Sequence, residues 1–376
     1  MRSLVTMFLL IFGVLSGGAS GFAAEQANFP STIPVVDMRD FQSPETKQKF
    51  IDEMSKALHE VGFFAVVNPG VNEKALAEGY DASKHFFQSS LEKKNAICKP
   101  ELNGQRGYIP SEIAQGRTSK DCKEFLHIGS NNNVWPAWMD LQYPMEHLIS
   151  TLEEHSEKLQ QAMSLAMGQP EGFLSSTTRN GNSLLRALHY PSNPSSGQFW
   201  AAAHTDIDLF TILPMATEEG LQIYHNGEWV AVRVPPDAFI INGGDMLENM
   251  TNGYFKSSRH RVVAKENLER YSIVYFIHPR SDVALGPIAH CISMTGGKPL
   301  FPEATRDELL FRRLVEIGLA SDDLKKLDAQ SGLIERVESL VKQDSAAPPV
   351  QKTYAVWQQM AMAERDASQQ HQNSTK

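Results

Sequence analysis

AAAHTDIDLFTILP (residues 201–214), NGYFKSSRHRVV (252–263) and RYS (270–272) decide how this chain is read. The first stretch sets His204 and Asp206 two residues apart, which on a β-strand turns both side chains to one side while Thr205 faces away. His260 opens a later strand and has to be brought alongside. Two imidazoles and one carboxylate on one face of an octahedron leave three positions open, a donor set suited to a ferrous ion. Zinc accepts the same ligand types and is the competing metal. An isolated His-x-Asp carries little weight. Here His204 follows three alanines and precedes an apolar run, as a ligand at the mouth of a buried strand should. Arg270 and Ser272 repeat the two-residue alternation, and together offer a guanidinium fork and a hydroxyl to a carboxylate.

Around these residues, 183–278 reads as short strands separated by turns: SLLRALHY, FTILPM, LQIYH, EWVAVRV, AFIIN, HRVVAK and YSIVYFIH. Asn226-Gly227 between LQIYH and EWVAV predicts a two-residue hairpin, because both residues tolerate positive φ. Strands this closely spaced predict a jelly roll (double-stranded β-helix), and the fold class is α+β. Upstream, IPVVDM (33–38) and FFAVVN (63–68) read as strands. The 43–61 stretch, with Phe50, Met54, Leu58 and Val61 at helical spacing, reads as a helix, as do 73–88 and 147–167. The Gly-rich, polar stretch 103–119 reads as a loop bordering the pocket, and 307–340 returns to helix. The expected organisation is a signal peptide over 1–24, an N-terminal α/β support over 31–170 and a jelly-roll core over 180–282. A C-terminal helical region over 283–343 and a polar tail over 344–376 complete it.

Of the 376 residues, 41% are hydrophobic and 21% charged, the balance of an ordinary globular protein. A formal net charge of −9 argues against nucleic acid or an anionic membrane surface as the main partner. Arg2 is the only charge before Glu25; an apolar run over Leu4–Leu15 and then small residues follow it, the order of a secretory signal. The expectation is cleavage near Ala23 or Ala24 and an exported protein with no stable membrane association. The alternatives are an uncleaved apolar anchor or a misassigned start, which would leave the protein cytoplasmic. Three scattered cysteines (Cys98, Cys122 and Cys291) make at most one bridge and read as idle thiols. His59, His85, His127 and His225 lack ligand spacing and read as structural or exposed. Asp208 reads as a hydrogen-bonded strand residue, or alternatively as an acid supporting the ligands.

HTD (204–206), GLQIYHNGEWVAV (220–232), NGGDMLENMTNGYFKSSRHRV (242–262) and RYS (270–272) resemble the core of the isopenicillin N synthase-like family of 2-oxoglutarate/Fe(II)-dependent dioxygenases. IPVVDM, ALHEVGFFAVVNPGV (57–71), GYIPSE (107–112), KDCKEFLHIG (120–129) and RRLVEIGL (312–319) resemble further landmarks, so the likeness runs from Ile33 to Leu319. It implies that His204, Asp206 and His260 bind Fe(II), that Arg270 with Ser272 holds the far carboxylate of 2-oxoglutarate, and that the Tyr190 hydroxyl contacts this co-substrate. It also implies oxidation of a small organic substrate by dioxygen (hydroxylation, desaturation or ring closure), with release of succinate and CO2. With Fe(II), one Asp, a doubly negative 2-oxoglutarate and one buried Arg, the charges sum to zero, which a low-dielectric pocket favours. The sequence departs from the family pattern at Leu188, where an asparagine is common, at His189, where a tyrosine is, and at Pro69 of Asn68-Pro69-Gly70. Two other readings stay open: an Fe(II) oxidase acting directly on an amino-acid-derived substrate without 2-oxoglutarate, and a non-catalytic metal- or ligand-binding protein. A monomer is expected.

Overall fold

The computed structural model describes residues 31–113, 120–192, 199–265 and 267–343. The signal-like segment, the polar tail and part of the 103–119 stretch lie outside the described residues. Twelve strands among these residues form two sheets. The larger runs in the order β1 (Val35–Asp37), β2 (Phe63–Val67), β10 (Phe239–Gly243), β7 (Phe210–Leu213), β12 (Arg270–Ile277), β5 (Leu184–Tyr190), β4 (Glu124–Gly129), β3 (Gly107–Ile109). The smaller runs β6 (Ala201–His204), β11 (His260–Val262), β8 (Leu221–His225), β9 (Glu228–Ala231). Among the described residues only β1 and β2 pair in parallel. The remaining ladders are antiparallel, as in the jelly roll expected from strand spacing.

Alternation along the strands divides the apolar residues between two cores. Phe63, Ala65, Phe125, Leu188, Leu213 and Ile240 of the large sheet join Ala201, Leu221, Ile223 and Val262 of the small sheet to fill the space between them. Their immediate neighbours Phe64, Val66, Leu126, Ala187, Ile212 and Ile241 point the other way, into a core capped by helices. Those helices include Lys47–Glu60, Glu73–Phe87 and Gln142–Ala166. In the first, Phe50, Met54 and Leu58 recur every fourth residue and are fully buried, each contributing about 1.5–3 kcal/mol of burial free energy. Asn72 caps the second by accepting from the backbone of Lys74 and Ala75 at 3.0 and 3.2 Å.

The Asn226–Gly227 hairpin forms as expected: His225 pairs with Glu228, and the turn residues hold φ of 50° and 90°. One expectation needs correction. The 103–119 stretch is not loop throughout, because Gly107–Ile109 pairs with β4 as an edge strand, Tyr108 opposite Leu126. Three residues are too few to show a period. The strands of the N-terminal support form both edges of the large sheet, so this region is continuous with the jelly roll. The C-terminal region from 307 is three helices, Arg306–Glu316, Asp322–Gln330 and Leu333–Gln343, separated at Gly318 and Gly332, both at φ +73°. All three cysteines are free. No described helix is long and apolar enough to cross a membrane.

Candidate metal centre and co-substrate site

His204 ends β6 and His260 begins β11, and the two are direct partners across the antiparallel ladder. Their rings lie 4.4 Å apart. The Nε2 atoms of both stand 3.7 Å from Asp206 Oδ1. One ligand atom from each of the three residues lies within 4.8 Å of the others, close enough to share one ion. Each imidazole has its Nδ1 against a carbonyl two residues back, His204 on Ala202 at 2.7 Å and His260 on Ser258 at 3.2 Å. Nδ1–H donation to those oxygens leaves both Nε2 lone pairs facing the centre.

Asp206 is not on the strand with His204, contrary to the expectation from spacing. Pairing stops at His204 because other groups take the next backbone acceptors: Arg313 Nη1 donates to Thr205 O at 2.6 Å and Asp245 N donates to Asp206 O at 2.8 Å. The carboxylate reaches the histidines from this turn. Its Oδ2 accepts from Thr211 at 2.8 Å and Asn242 at 2.9 Å, leaving Oδ1 toward the imidazoles. Burial works to raise the Asp206 carboxyl, but the two imidazoles and these hydrogen bonds overcome it and hold it at about 2. Burial, then the neighbouring His260, pushes His204 down. A neutral imidazole beside an ionised carboxylate is the form a divalent cation binds.

Asp208 is completely buried and its Oδ2 lies 3.0 Å from the same Thr211 hydroxyl. Burial, reinforced by Asp206, holds its carboxyl well above the usual range. The Thr211 hydroxyl lies within hydrogen-bond distance of both carboxylates and links Asp208 to Asp206. Asp208 thus supports a ligand from behind as well as being hydrogen-bonded.

Arg270 and Ser272 are buried on the face of β12 that points between the sheets, the same large-sheet face from which Thr211 and Asn242 reach Asp206. Arg270 donates from Nε to Glu218 O at 2.9 Å and lies 4.9 Å over the ring of Tyr190, its partner across the ladder. Its Nη1 is buried without a hydrogen-bond partner among the described residues. A buried guanidinium nitrogen left open costs about 1–3 kcal/mol or more, and an incoming carboxylate oxygen removes that cost. The donor set therefore fits a dicarboxylate beside the metal. Leu188 lies opposite Ser272 on the inner face, so the family's amide is replaced there by an apolar side chain. His189 points outward, held between Glu124 at 2.7 Å and Glu269 at 2.6 Å, and does not reach the centre.

A cavity of ≈ 80 Å³ opens beside His204 and Asp206. Leu310 and Leu314 of the Arg306–Glu316 helix line it, together with Glu112, Lys123 and Arg186. Lys123 Nζ lies 2.6 Å from Glu112 and 3.0 Å from Asp121, while Arg186 reaches Glu112 at 3.1 Å. Phe125 at 4.2 Å and Phe276 at 5.2 Å flank the Arg186 guanidinium, fixing its plane. His127, read as structural, accepts from Arg186 at 2.5 Å inside this lining. Residue spacing does not expose these residues, nor Thr211, Asn242 and Arg313. KDCKE at 120–124 carried the one available signal, a lysine among acids at strand spacing.

Residues 33–147 match the family described as non-haem dioxygenase in morphine synthesis N-terminal, and residues 181–279 match the 2OG-Fe(II) oxygenase superfamily. A 2-oxoglutarate-dependent dioxygenase of Penicillium crustosum, traH, is 30% identical over 314 residues, spanning 76% of this chain and 92% of that protein. The crystal structure of a 2OG-Fe(II) oxygenase family protein from Caulobacter crescentus superposes with a TM-score of 0.68 at 30% identity, covering 76% of this chain and 99% of that one. This chain belongs to the 2OG-Fe(II) oxygenase superfamily. Also similar is JOX2, in complex with 2OG, Fe and JA, at 25% identity and a TM-score of 0.66, covering 76% of this chain and 85% of that one. As a 2OG-Fe(II) oxygenase, the protein is an oxidoreductase that uses Fe(II), 2-oxoglutarate and dioxygen. Membership favours this reading over the 2-oxoglutarate-independent and non-catalytic alternatives.

Proposed function

We propose that His204, Asp206 and His260 hold the iron of this oxygenase, and that Arg270 and Ser272 receive the far carboxylate of 2-oxoglutarate while the protein oxidises a small organic molecule. Convergence of the two Nε2 atoms and Asp206 Oδ1 within 4.8 Å carries this reading. Bound there, the iron and 2-oxoglutarate supply the chemistry that couples loss of CO2 from the co-substrate to oxidation by dioxygen. The protein's own residues position and shield. Thr211 and Asn242 hold Asp206 in a one-oxygen mode, the Nδ1–H groups keep both imidazoles turned inward, and Tyr190 braces Arg270 from below. The cavity lining combines the aliphatic side chains of Leu310 and Leu314 with the fixed charges of Arg186, Glu112 and Lys123. That combination suits a small molecule with an apolar body and a polar edge.

The test is 2-oxoglutarate-to-succinate conversion by the purified chain with Fe(II) and dioxygen. Conversion in the wild type and its loss in Asp206→Ala support the assignment; unchanged conversion in Asp206→Ala refutes it. The n-, h- and c-region order of residues 1–24 supports export, and mass spectrometry of the mature N-terminus tests it.

A further inference from the structure

On the other side of Gln105 from the catalytic cavity lies a second cleft, of ≈ 570 Å³, into which Arg106, Arg280 and Arg306 converge. Gln105 lines both spaces. Two of these arginines are about nineteen-twentieths buried, Arg106 and Arg306 each being 5% exposed. Carboxylates do not balance them. Arg280 Nε lies 3.2 Å from Asp282, and Arg306 Nη1 lies 2.7 Å from Asp307. Arg106 spends its donors on neutral oxygens: Nε on Asn131 O at 2.7 Å, Nη1 on Gln105 O at 2.6 Å, and Nη2 on the Asn182 side chain. Three cations thus face two carboxylates, leaving one positive charge in excess.

Arg306 gives the excess a direction. Its Nε and Nη2 are both buried without a hydrogen-bond partner among the described residues. These two nitrogens form one edge of the guanidinium, the edge that matches two oxygens of a carboxylate or phosphate side by side. Arg306 also presses on its neighbours. Burial, then Arg306, lowers Arg106; burial, then Arg306, holds His278 of the catalytic lining well below its usual range. An oxyanion between the arginines would neutralise the excess charge and occupy the open edge.

We propose that the Arg106–Arg280–Arg306 cleft is an oxyanion-binding site taking a carboxylate or phosphate, distinct from the Arg270 position. The anion is either the charged end of the prime substrate, reaching past Gln105 toward the metal centre, or a free oxyanion.

Calorimetric titration of inorganic phosphate into the full chain loaded with Mn(II) and 2-oxoglutarate tests this, because the Arg270 position is then filled. The expectation is saturable binding that weakens about tenfold in Arg306→Gln, one charge-assisted pair being worth that much, and also weakens in Arg280→Gln. The half-exposed Arg280 provides a second variant should the buried one misfold. Affinity for 2-oxoglutarate stays at the wild-type value in both, so a failure of the iron-site assignment would show separately. Phosphate that competes with a compound stimulating succinate formation, raising only its KM, marks the anion as part of the substrate. Phosphate that binds and leaves that KM untouched marks a free oxyanion. No saturable phosphate binding in the wild type, or equal affinity in both variants, overturns the proposal.

Discussion

His204 and His260, 56 residues apart in the chain, are nearest cross-strand partners on the small sheet, with rings 4.4 Å apart. A metal site built on a ladder pair inherits the rigidity of that ladder, since directly opposite residues are held at a fixed separation. Only Asp206 comes from outside the sheet, and Thr211, Asn242 and the Asp245 backbone fix it from three directions.

Thr211→Val should therefore weaken metal binding without unfolding the protein. The change removes one hydrogen bond to Asp206 Oδ2 and the side-chain contact to Asp208. Loss of a group that orients a ligand typically costs about 10–100-fold in metal affinity. Competition titration against a chromophoric chelator measures it; an unchanged affinity would show that Thr211 does not orient Asp206.

Arg270→Gln should raise the dissociation constant for 2-oxoglutarate by roughly 10–100-fold, the worth of a charge-assisted bond in a buried site. Ser272→Ala should cost less, about 2–10-fold, as a neutral hydroxyl contact does. Anaerobic binding isotherms of the metal-loaded protein give both numbers. Metal affinity in the absence of 2-oxoglutarate should stay at wild type in each.

Much of this arrangement is written in local sequence, and the rest is not, for a physical reason. The ligand histidines open or close strands, and Arg270 and Ser272 obey a period of two, so residue spacing alone exposes them. Asn226-Gly227 fixes its own turn. By contrast, Arg313 reaches Thr205 across 108 residues, and Arg186 meets Glu112 across 74. Such contacts depend on how the C-terminal helix and strand β5 are brought together, which no periodicity encodes. The same holds for Asp206. Its place next to His204 suggested a shared strand, yet distant donors at 245 and 313 end the pairing.

Gly244→Ala should test how tightly this corner is packed. A Cβ there would lie 2.4 Å from the Asp208 backbone oxygen, too close for any side chain, so the turn must shift. Overpacking of this kind costs about 1–3 kcal/mol. Denaturant unfolding should show that loss, together with reduced metal affinity because the Asp206–Asp208 segment moves.

Glu124 should contribute to acid sensitivity. Burial tends to raise its carboxyl, but His189, Lys94 and Tyr108 donate to it and bring it to about 2 from 4.5. A carboxyl depressed on folding stabilises fully above its unfolded value, and that contribution disappears as pH falls from 4.5 toward 2. The shift corresponds to roughly 3 kcal/mol near neutrality. Glu124→Gln should therefore lower stability at pH 7 by up to that amount and flatten the stability profile below pH 4.5. A parallel profile, merely displaced, would assign the acid response to other groups.

Calorimetric titration of Fe(II) under anaerobic conditions into the wild type and His260→Ala decides whether the three side chains share one ion. One ion should bind per wild-type chain, with binding lost or weakened by several orders of magnitude in the variant. Equal stoichiometry and affinity in the two proteins would place the metal elsewhere and contradict the account.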